Sequence, residues 1–339
     1  MNRQWILARR PKGAADLECF EYREMATLPG QDGEVCVQWE LMLCAPTIRN
    51  WISGNRNSYY PTVEIGEPIL SPAIGRIVES RNPAFVIGQR LWGIGSWQDY
   101  QWIDPLAFQI VPPDITSVDA MGVYGLNALT AYTGLIRFGL PQKGETLLVS
   151  GAAGSVGSVV AQIGHIMGLN VVGIAGGPAK LKWLREDCGI TNLIDYKSED
   201  CAARLDAYFP DGIDIYFDNV GGDMLEMAAA RMRPLGRIVL CGQISHYDDG
   251  QPILPPPIDM MRIIYGEIRI NGFLITRHAD LQPQALKDLR AWNDKGILSH
   301  REDVRDGMKD LPETFSRLFN GANVGTLLAR ISSPEGATL

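Results

Sequence analysis

The chain has 339 residues, enough for about two domains, and its 46% hydrophobic and 21% charged residues are typical of a globular protein. The formal net charge of −8 argues against a nucleic-acid-binding protein, because such proteins normally carry a basic surface. The first ten residues lack the apolar core and cleavage site of a signal peptide. Outside a glycine-rich region, no run of about 18 uncharged apolar residues predicts a membrane span.

The cysteines and histidines are scattered rather than clustered. The six cysteines contain no Cys-x-x-Cys pair, which favours reduced thiols in a cytoplasmic protein. No two of the four histidines have metal-ligand spacing. We therefore expect no metal site, because zinc needs three or four clustered ligands.

Residues 1–120 have the pattern of a β-rich domain. Gly33–Glu40 alternates apolar and polar residues, as a half-buried strand does, and Ala73–Glu79 and Gln89–Ile94 do so less cleanly. Proline and glycine punctuate the region, which predicts a small antiparallel barrel or sandwich. The aromatic and polar segment Pro46–Pro61 is expected to form a loop and the wall of a pocket.

From about residue 121 strands and helices alternate. A helix is predicted over Gly125–Gly139, and another over Asp280–Lys295. Six strands are predicted, at 146–150, 171–175, 192–195, 213–218, 237–241 and 268–275. This alternation predicts an α/β domain with a doubly wound parallel sheet. The tail from Glu313 to Ile331 is interpreted as a helix, a turn and a strand that return to the first domain.

The strongest motif joins the first predicted strand of this domain to a helix. It is Val149-Ser-Gly-Ala-Ala-Gly-Ser-Val-Gly157, in which Ala152 replaces the first glycine of the usual G-x-G-x-x-G. Small residues allow the backbone to approach a pyrophosphate, and the helix N-terminus presents N–H groups and partial positive charge. The motif predicts a dinucleotide-phosphate site; the alternative is a tight turn without a ligand.

The end of the second strand indicates which dinucleotide binds. NAD-binding domains usually place an acidic residue there to hold the ribose hydroxyls. Here the strand ends in Gly176 and Gly177, followed by Lys180, and Tyr196 follows the third strand. A lysine and a phenol suit a 2′-phosphate, so NADP is favoured over NAD; the alternative for Lys180 is a solvated cation at a helix start.

Several segments together resemble the zinc-independent branch of the medium-chain dehydrogenase/reductase superfamily. They are the glycine motif, Phe217–Gly222, Cys241–Tyr247, Gly272–Ile275 and Asn323–Gly325. More narrowly, they are similar to the leukotriene/prostaglandin reductases, alkenal double-bond reductases and curcumin-reductase-like enzymes. The zinc-dependent relatives need a catalytic cysteine and a Gly-His-Glu segment. Cys44 lies near the first place, but Gly66-Glu67 lacks the histidine.

The resemblance implies a GroES-like β-rich catalytic domain, residues 1–120 and 300–339, and a Rossmann domain, residues 121–299. It implies a homodimer that uses NADPH to reduce the C=C bond of α,β-unsaturated ketones or aldehydes. The cofactor-binding residues that it implies are Gly154, Ser155, Val156, Gly157, Lys180, Tyr196, Asn219, Cys241, Gly242, Ile244, Ser245, Tyr247, Phe273, Leu274, Ile275 and Asn323.

Tyr247 is the first candidate for catalysis. It lies on a Ser-His-Tyr turn after a strand's C-terminal end, where α/β active sites form, and a phenol can donate a hydrogen bond or proton to the enolate oxygen. Packing against the cofactor ribose is the alternative role, with water or a ribose hydroxyl as the acid. Tyr59, Tyr60 and Tyr265 are weaker pocket candidates.

Two further side chains have open roles. Arg49 either faces the cofactor cleft or is a solvated loop charge, and Asn219 either contacts the cofactor or caps a turn. Two other functions also remain open: a quinone reductase on the same fold, and a non-enzymatic NADPH-binding protein. Neither involves nucleic acid or a membrane.

Overall fold

The computed structural model describes residues 1–55, 62–246, 258–319, 321 and 323–332. The chain divides into two compact units. In their described parts, one comprises residues 1–121 and 302–332, and the other comprises residues 122–246 and 258–301. No helix in these described ranges is long and apolar enough to cross a membrane.

The first unit is built mainly from strands. Its helices are α1 (Thr47–Trp51), α2 (Ser117–Met121) and α10 (Leu311–Ser316). Its strands are β1 (Asn2–Leu7), β2 (Phe20–Met25), β3 (Val35–Leu43), β4 (Leu70–Ser80), β5 (Arg90–Ser96), β6 (Tyr100–Ile103), β7 (Gln109–Ile110), β14 (Glu302–Asp306) and β15 (Thr326–Arg330). Strands β1 and β2 pair with each other, and the rest form one sheet in the order β14-β15-β3-β4-β5-β7, with β6 also on β3.

The central strand β3 differs from its prediction as a half-buried strand. Eight of its nine residues are buried, and the strand is paired on both edges, with β4 on one and β6 and β15 on the other. The pairing of β15 with β3 also brings the tail back to this sheet. The segment Pro46–Pro61 was predicted as a loop, but it begins with the short helix α1; residues 56–61 lie outside the described residues.

The second unit contains the predicted parallel sheet. Its strands are β8 (Thr146–Val149), β9 (Asn170–Ala175), β10 (Asn192–Asp195), β11 (Ile213–Asp218), β12 (Met232–Leu240) and β13 (Arg269–Gly272), in the order β10-β9-β8-β11-β12-β13. Its helices are α3 (Leu126–Thr133), α4 (Gly157–Ile166), α5 (Pro178–Glu186), α6 (Cys201–Tyr208), α7 (Gly222–Ala229), α8 (Met260–Gly266) and α9 (Gln282–Asp294). All six predicted strands are present, and the α/β class is confirmed.

Three boundaries in this unit differ from the prediction by several residues, and one of them is the start of β12, at Met232 rather than at residue 237. Strand β13 ends at Gly272 rather than at Ile275, because its pairing partner β12 ends at Leu240, opposite Gly272. The helix predicted over Gly125–Gly139 is α-helical only to Thr133 and continues as a π-helical turn over Gly134–Gly139.

Candidate functional site

The glycine motif forms a tight turn between β8 and α4. Gly151 has a positive φ of 58°, and its carbonyl accepts a hydrogen bond of 2.9 Å from the Gly154 N–H. A Cβ on Gly157 would lie 2.3 Å from the Gly151 carbonyl oxygen, so this position requires glycine. Ala152 is fully buried, with its Cβ toward Gly173, which explains how alanine is accommodated at the first motif position.

Ser155, in the middle of the motif, is hydrogen-bonded to a side chain outside the motif. Its hydroxyl accepts a hydrogen bond of 2.8 Å from the Asn127 side chain, in the first turn of α3. Asn127 was not predicted as a site residue. Only the folded structure brings it to the phosphate loop, because nothing in the spacing of α3 marks it.

A buried carboxylate anchors the neighbouring turn at the end of β11. Asp218 is fully buried, and its Oδ1 accepts hydrogen bonds from the Ser150 and Tyr216 hydroxyls at 2.9 and 2.6 Å. The same oxygen accepts the N–H groups of Val220 and Gly221, each at 3.0 Å. Burial, with the Asp218 charge second, raises the pKa of Tyr216 well above its usual value, so this phenol stays a donor.

Asn219 ties the ends of β8 and β11 together. Its side-chain nitrogen donates to the Ser150 carbonyl at 2.8 Å, and its backbone N–H donates to the Ser150 hydroxyl at 2.9 Å. The turn-capping role is therefore present. The predicted cofactor contact of Asn219 remains a prediction.

The predicted segment after β12 is fastened to the same turn. The N–H groups of Cys241 and Gly242 donate to the Asp218 carbonyl at 2.8 and 3.1 Å. Ser245 donates to the Val220 carbonyl through both its N–H, at 3.2 Å, and its hydroxyl, at 2.6 Å. Burial raises the pKa of the Cys241 thiol to about 12, so it is protonated and not a nucleophile at neutral pH.

A cationic cluster lies at the ends of β9 and β10. Lys180 is half-buried in the first turn of α5, and Tyr196 and Lys197 follow β10. A Cβ on Gly176 would lie 2.6 Å from the Tyr196 ring and 2.9 Å from Lys197 Cε, so both side chains lie directly against this glycine. Burial, and secondly the Lys197 charge, lowers the pKa of Lys180. Two nearby like charges favour binding of an anion.

The carboxylate of Asp195, beside the two lysines, is already hydrogen-bonded to backbone N–H groups. Asp195, at the end of β10, accepts the N–H groups of Gly177 and Lys197 at 3.0 Å each, and these bonds hold its pKa below the usual value. Its carboxylate shapes the loop beside the lysines. Lys197 was not predicted as a site residue, although its position directly after Tyr196 was a usable signal.

The remaining predicted residues lie in several places. Arg49 is buried and donates to the Gly13 carbonyl from Nε at 3.0 Å and Nη2 at 2.6 Å, so its interpretation as a solvated loop charge was wrong. Tyr265 is 81% exposed on α8. Asn323 donates to the Gly325 carbonyl at 3.2 Å.

Three predicted tyrosines, Tyr59, Tyr60 and Tyr247, lie outside the described residues. Of the predicted cofactor segment after β13, Phe273 and Leu274 are half-buried and Ile275 is buried. Gly154, Val156 and Gly157 lie on the phosphate turn described above, and Ile244 donates its N–H to the Asn219 carbonyl at 3.4 Å.

A β-rich unit and a six-stranded parallel unit with a phosphate turn are the architecture of medium-chain dehydrogenases/reductases. Two family models match the chain: an N-terminal domain of oxidoreductase over residues 3–111, and a zinc-binding dehydrogenase over residues 155–291.

Individual proteins match over nearly the whole chain. It is 33% identical to the NADPH-dependent curcumin reductase of Escherichia coli (strain K12) and 34% identical to the NADP(+)-dependent 2-alkenal reductase of Nicotiana tabacum; each alignment covers 98% of both chains. The crystal structure of CurA in complex with NADPH from Vibrio vulnificus superposes with a TM-score of 0.92 at 31% identity, covering 98% of this chain and 100% of that one. The chain therefore belongs to the medium-chain dehydrogenase/reductase family of prostaglandin reductases, alkenal double-bond reductases and curcumin reductases.

Proposed function

We propose that the protein is an NADPH-dependent oxidoreductase that reduces the C=C bond of α,β-unsaturated ketones and aldehydes. The observation that carries the cofactor choice is the cluster of Lys180, Tyr196 and Lys197, which stands where NAD-binding domains usually place an acid. Family membership supports the reaction class, because the relatives' names describe curcumin and 2-alkenal reductases.

The chain's residues fit a dinucleotide at three places. The turn from Gly151 to Gly157 is so tight that a Cβ on Gly157 would collide with its backbone, and the start of α4 that follows offers N–H groups to a pyrophosphate. The two lysines supply charge for a 2′-phosphate, and the Tyr196 phenol can donate to it. The loops after β11 and β12, which bond to Asp218, border the half of the sheet that does not carry the lysines.

When bound, NADPH would supply the hydride for the β-carbon of the substrate. The protein must then stabilise the negative charge that develops on the carbonyl oxygen. In this proposal the Tyr247 hydroxyl donates a hydrogen bond or the proton to that oxygen, with water or a ribose hydroxyl as the alternative donor. The bonds from Cys241, Gly242 and Ser245 fix the start of the loop that leads to Tyr247.

The proposed reaction proceeds without zinc. The sequence at the Gly-His-Glu segment that the zinc-dependent relatives need supports this, because Gly66-Glu67 lacks the histidine. Among the residues that the structure describes, no three His, Cys, Asp or Glu side chains form a group that could hold a metal ion. Full metal removal by a chelator should leave turnover unchanged.

We also propose that residues 1–120 and 300–339 form the catalytic domain and that residues 121–299 bind NADPH. The free state of all six cysteines supports a cytoplasmic location.

A homodimer is supported by an open sheet edge in the second unit. Among the strands in the described part of the chain, β13 is the last of its sheet, with Arg269, Ile270 and Gly272 exposed. The neighbouring α8 has no buried residue and exposes Ile264 by 63%. Open, apolar edges are usually covered by a partner, here a second copy. Sedimentation should give a dimer that Ile264→Asp weakens; a monomeric wild-type protein would contradict this.

The function is tested by following NADPH absorbance with two acceptors. A benzylidene-acetone-type enone should be reduced with saturation kinetics, whereas a quinone should be a poor substrate. Quinone turnover without enone turnover would refute the proposal in favour of a quinone reductase. Cofactor binding without either turnover would indicate a non-enzymatic NADPH-binding protein.

A further inference from the structure

The π-helical turn Gly134–Gly139, called here the π turn, has no role in the function proposed above. It continues α3 and ends at Leu140, which has a left-handed φ of 48°. The carbonyls of Gly139 and Leu140 are capped by Arg237, at 2.9 and 3.2 Å. π-Helical turns are uncommon and occur frequently at functional sites, where they redirect side chains.

The π turn directs two side chains at the segment that follows β13. Phe138 stacks on Phe273, with ring centroids 5.3 Å apart and planes at 27°, and meets the His278 ring edge-on at 5.2 Å. Arg137 binds the Asp280 carboxylate through two hydrogen bonds of 3.0 and 2.6 Å. It also lies 3.0 Å from His278 Nδ1, which must accept because a guanidinium only donates.

Gly134 sets how closely this segment approaches the sheet. A Cβ at this position would lie 2.7 Å from ring atoms of both Phe217 and Phe273. Phe217 is fully buried on β11, whereas Phe273 is only half-buried. A side chain on Gly134 would therefore displace Phe273, the half-buried partner.

The position of Phe273 matters because of the half of the sheet that it borders. In a doubly wound sheet each half binds one mononucleotide. The cationic cluster of Lys180 and Lys197 lies at the ends of β9 and β10, so the half formed by β11 to β13 would face the nicotinamide of a bound NADPH. The segment Phe273–Ile275 directly follows β13 and belongs to the predicted cofactor contacts.

We propose that the π turn positions the segment Phe273–Ile275 against the nicotinamide, with Gly134 and Phe138 as positioning residues for hydride transfer. This inference rests on the proposed NADPH-dependent function. It separates two tasks within the second unit: the lysine cluster selects the cofactor, and the π turn orients its reactive end.

The test compares Phe138→Leu and Gly134→Ala with the matched control Phe209→Leu. Phe209 is a buried phenylalanine at the end of α6, in a hydrophobic core cluster that does not include Phe273–Ile275. In the two π-turn variants kcat should fall about tenfold, because small misplacements of reacting groups are costly. The primary isotope effect with 4-deuterated NADPH should rise, while the Kd of NADPH changes less than about twofold, since the proposed phosphate contacts come from other residues, after β8, β9 and β10. Phe209→Leu should lower only the melting temperature.

A second readout does not need a substrate. Nicotinamide fluorescence of bound NADPH should be enhanced and strongly polarised in the wild type and the control, and less so in both π-turn variants at equal saturation. Unchanged isotope effect and fluorescence in a folded Phe138→Leu, or equal changes in Phe209→Leu, would overturn the inference. If the wild type reduces no enone, the proposed function fails, and the fluorescence comparison still decides the role of the π turn.

Discussion

Removal of the Lys180 charge tests cofactor selection most sharply. In Lys180→Met the half-buried ammonium, whose pKa is already lowered by burial and by Lys197, is replaced by an uncharged side chain of similar length. Charge-assisted hydrogen bonds contribute about 1.5–3 kcal/mol, and partial exposure favours the lower end. We therefore expect the Kd of NADPH to rise about 10- to 30-fold, since each 1.4 kcal/mol is tenfold.

NADH lacks the 2′-phosphate, so its Kd should change by less than about twofold. Both affinities are measurable by titration calorimetry on the same preparation. The chain offers a matched control two residues further along α5: Lys182 is exposed and lies 3.8 Å from Glu186. Lys182→Met should leave both affinities unchanged. Lys197→Met, which removes an exposed charge, should weaken NADPH by about threefold. Equal losses for NADPH and NADH in Lys180→Met would refute the assignment of this lysine to the phosphate.

Three other perturbations have distinct expected outcomes. Gly157→Ala should weaken the binding of NADPH and NADH alike, because the new Cβ would lie 2.3 Å from the Gly151 carbonyl oxygen. Gly154→Ala, whose Cβ would lie 3.2 Å from the same oxygen, should have a smaller effect. A selective loss of NADPH binding would contradict this reasoning. As pH rises, the preference for NADPH should be lost at a pH below the usual pKa of a lysine, because the lowered pKa of Lys180 means that its charge is lost earlier. Lys180→Arg should retain the preference in alkaline buffer. Tyr247→Phe should lower kcat by about tenfold or more with cofactor affinity nearly kept, and unchanged turnover would remove this phenol from the chemistry.

The centre of the parallel sheet could be predicted because β8, β9 and β11 are largely buried on both faces. Segments such as Val171–Ala175 are continuous apolar runs, and glycine or polar residues mark their ends. The strand order was not predicted, since it depends on which runs pair in space. The early end of β13 was missed for the same reason: the apolar residues Phe273–Ile275 follow Gly272 directly, but β12 offers them no pairing partner.

The π turn was beyond prediction from spacing. Leu135 and Ile136 fit a helix of 3.6 residues per turn, and a wider turn shifts them too little over six residues to be distinguished. Arg49 was left open because burial of an arginine depends on a distant acceptor, here the Gly13 carbonyl. Asn127 was missed for the same kind of reason, since its partner Ser155 is 28 residues away.

Several predicted site residues do meet at one edge of the sheet. The turns after β8, β11 and β12 are joined through Ser150, Asp218 and Val220. This meeting follows from the parallel sheet, because the carboxyl ends of parallel strands share an edge. The lysine pair required the structure, since Lys180 and Lys197 belong to different strand–helix connections.

The central claim, that the protein reduces the C=C bond of an enone with NADPH, is tested most directly by product analysis. The enone is incubated with 4-deuterated NADPH, and the product is examined by NMR and mass spectrometry. We expect a saturated ketone that retains its carbonyl, with one deuterium on the β-carbon and a solvent-derived hydrogen on the α-carbon. An allylic alcohol with deuterium on the former carbonyl carbon, or unchanged enone, would contradict the account.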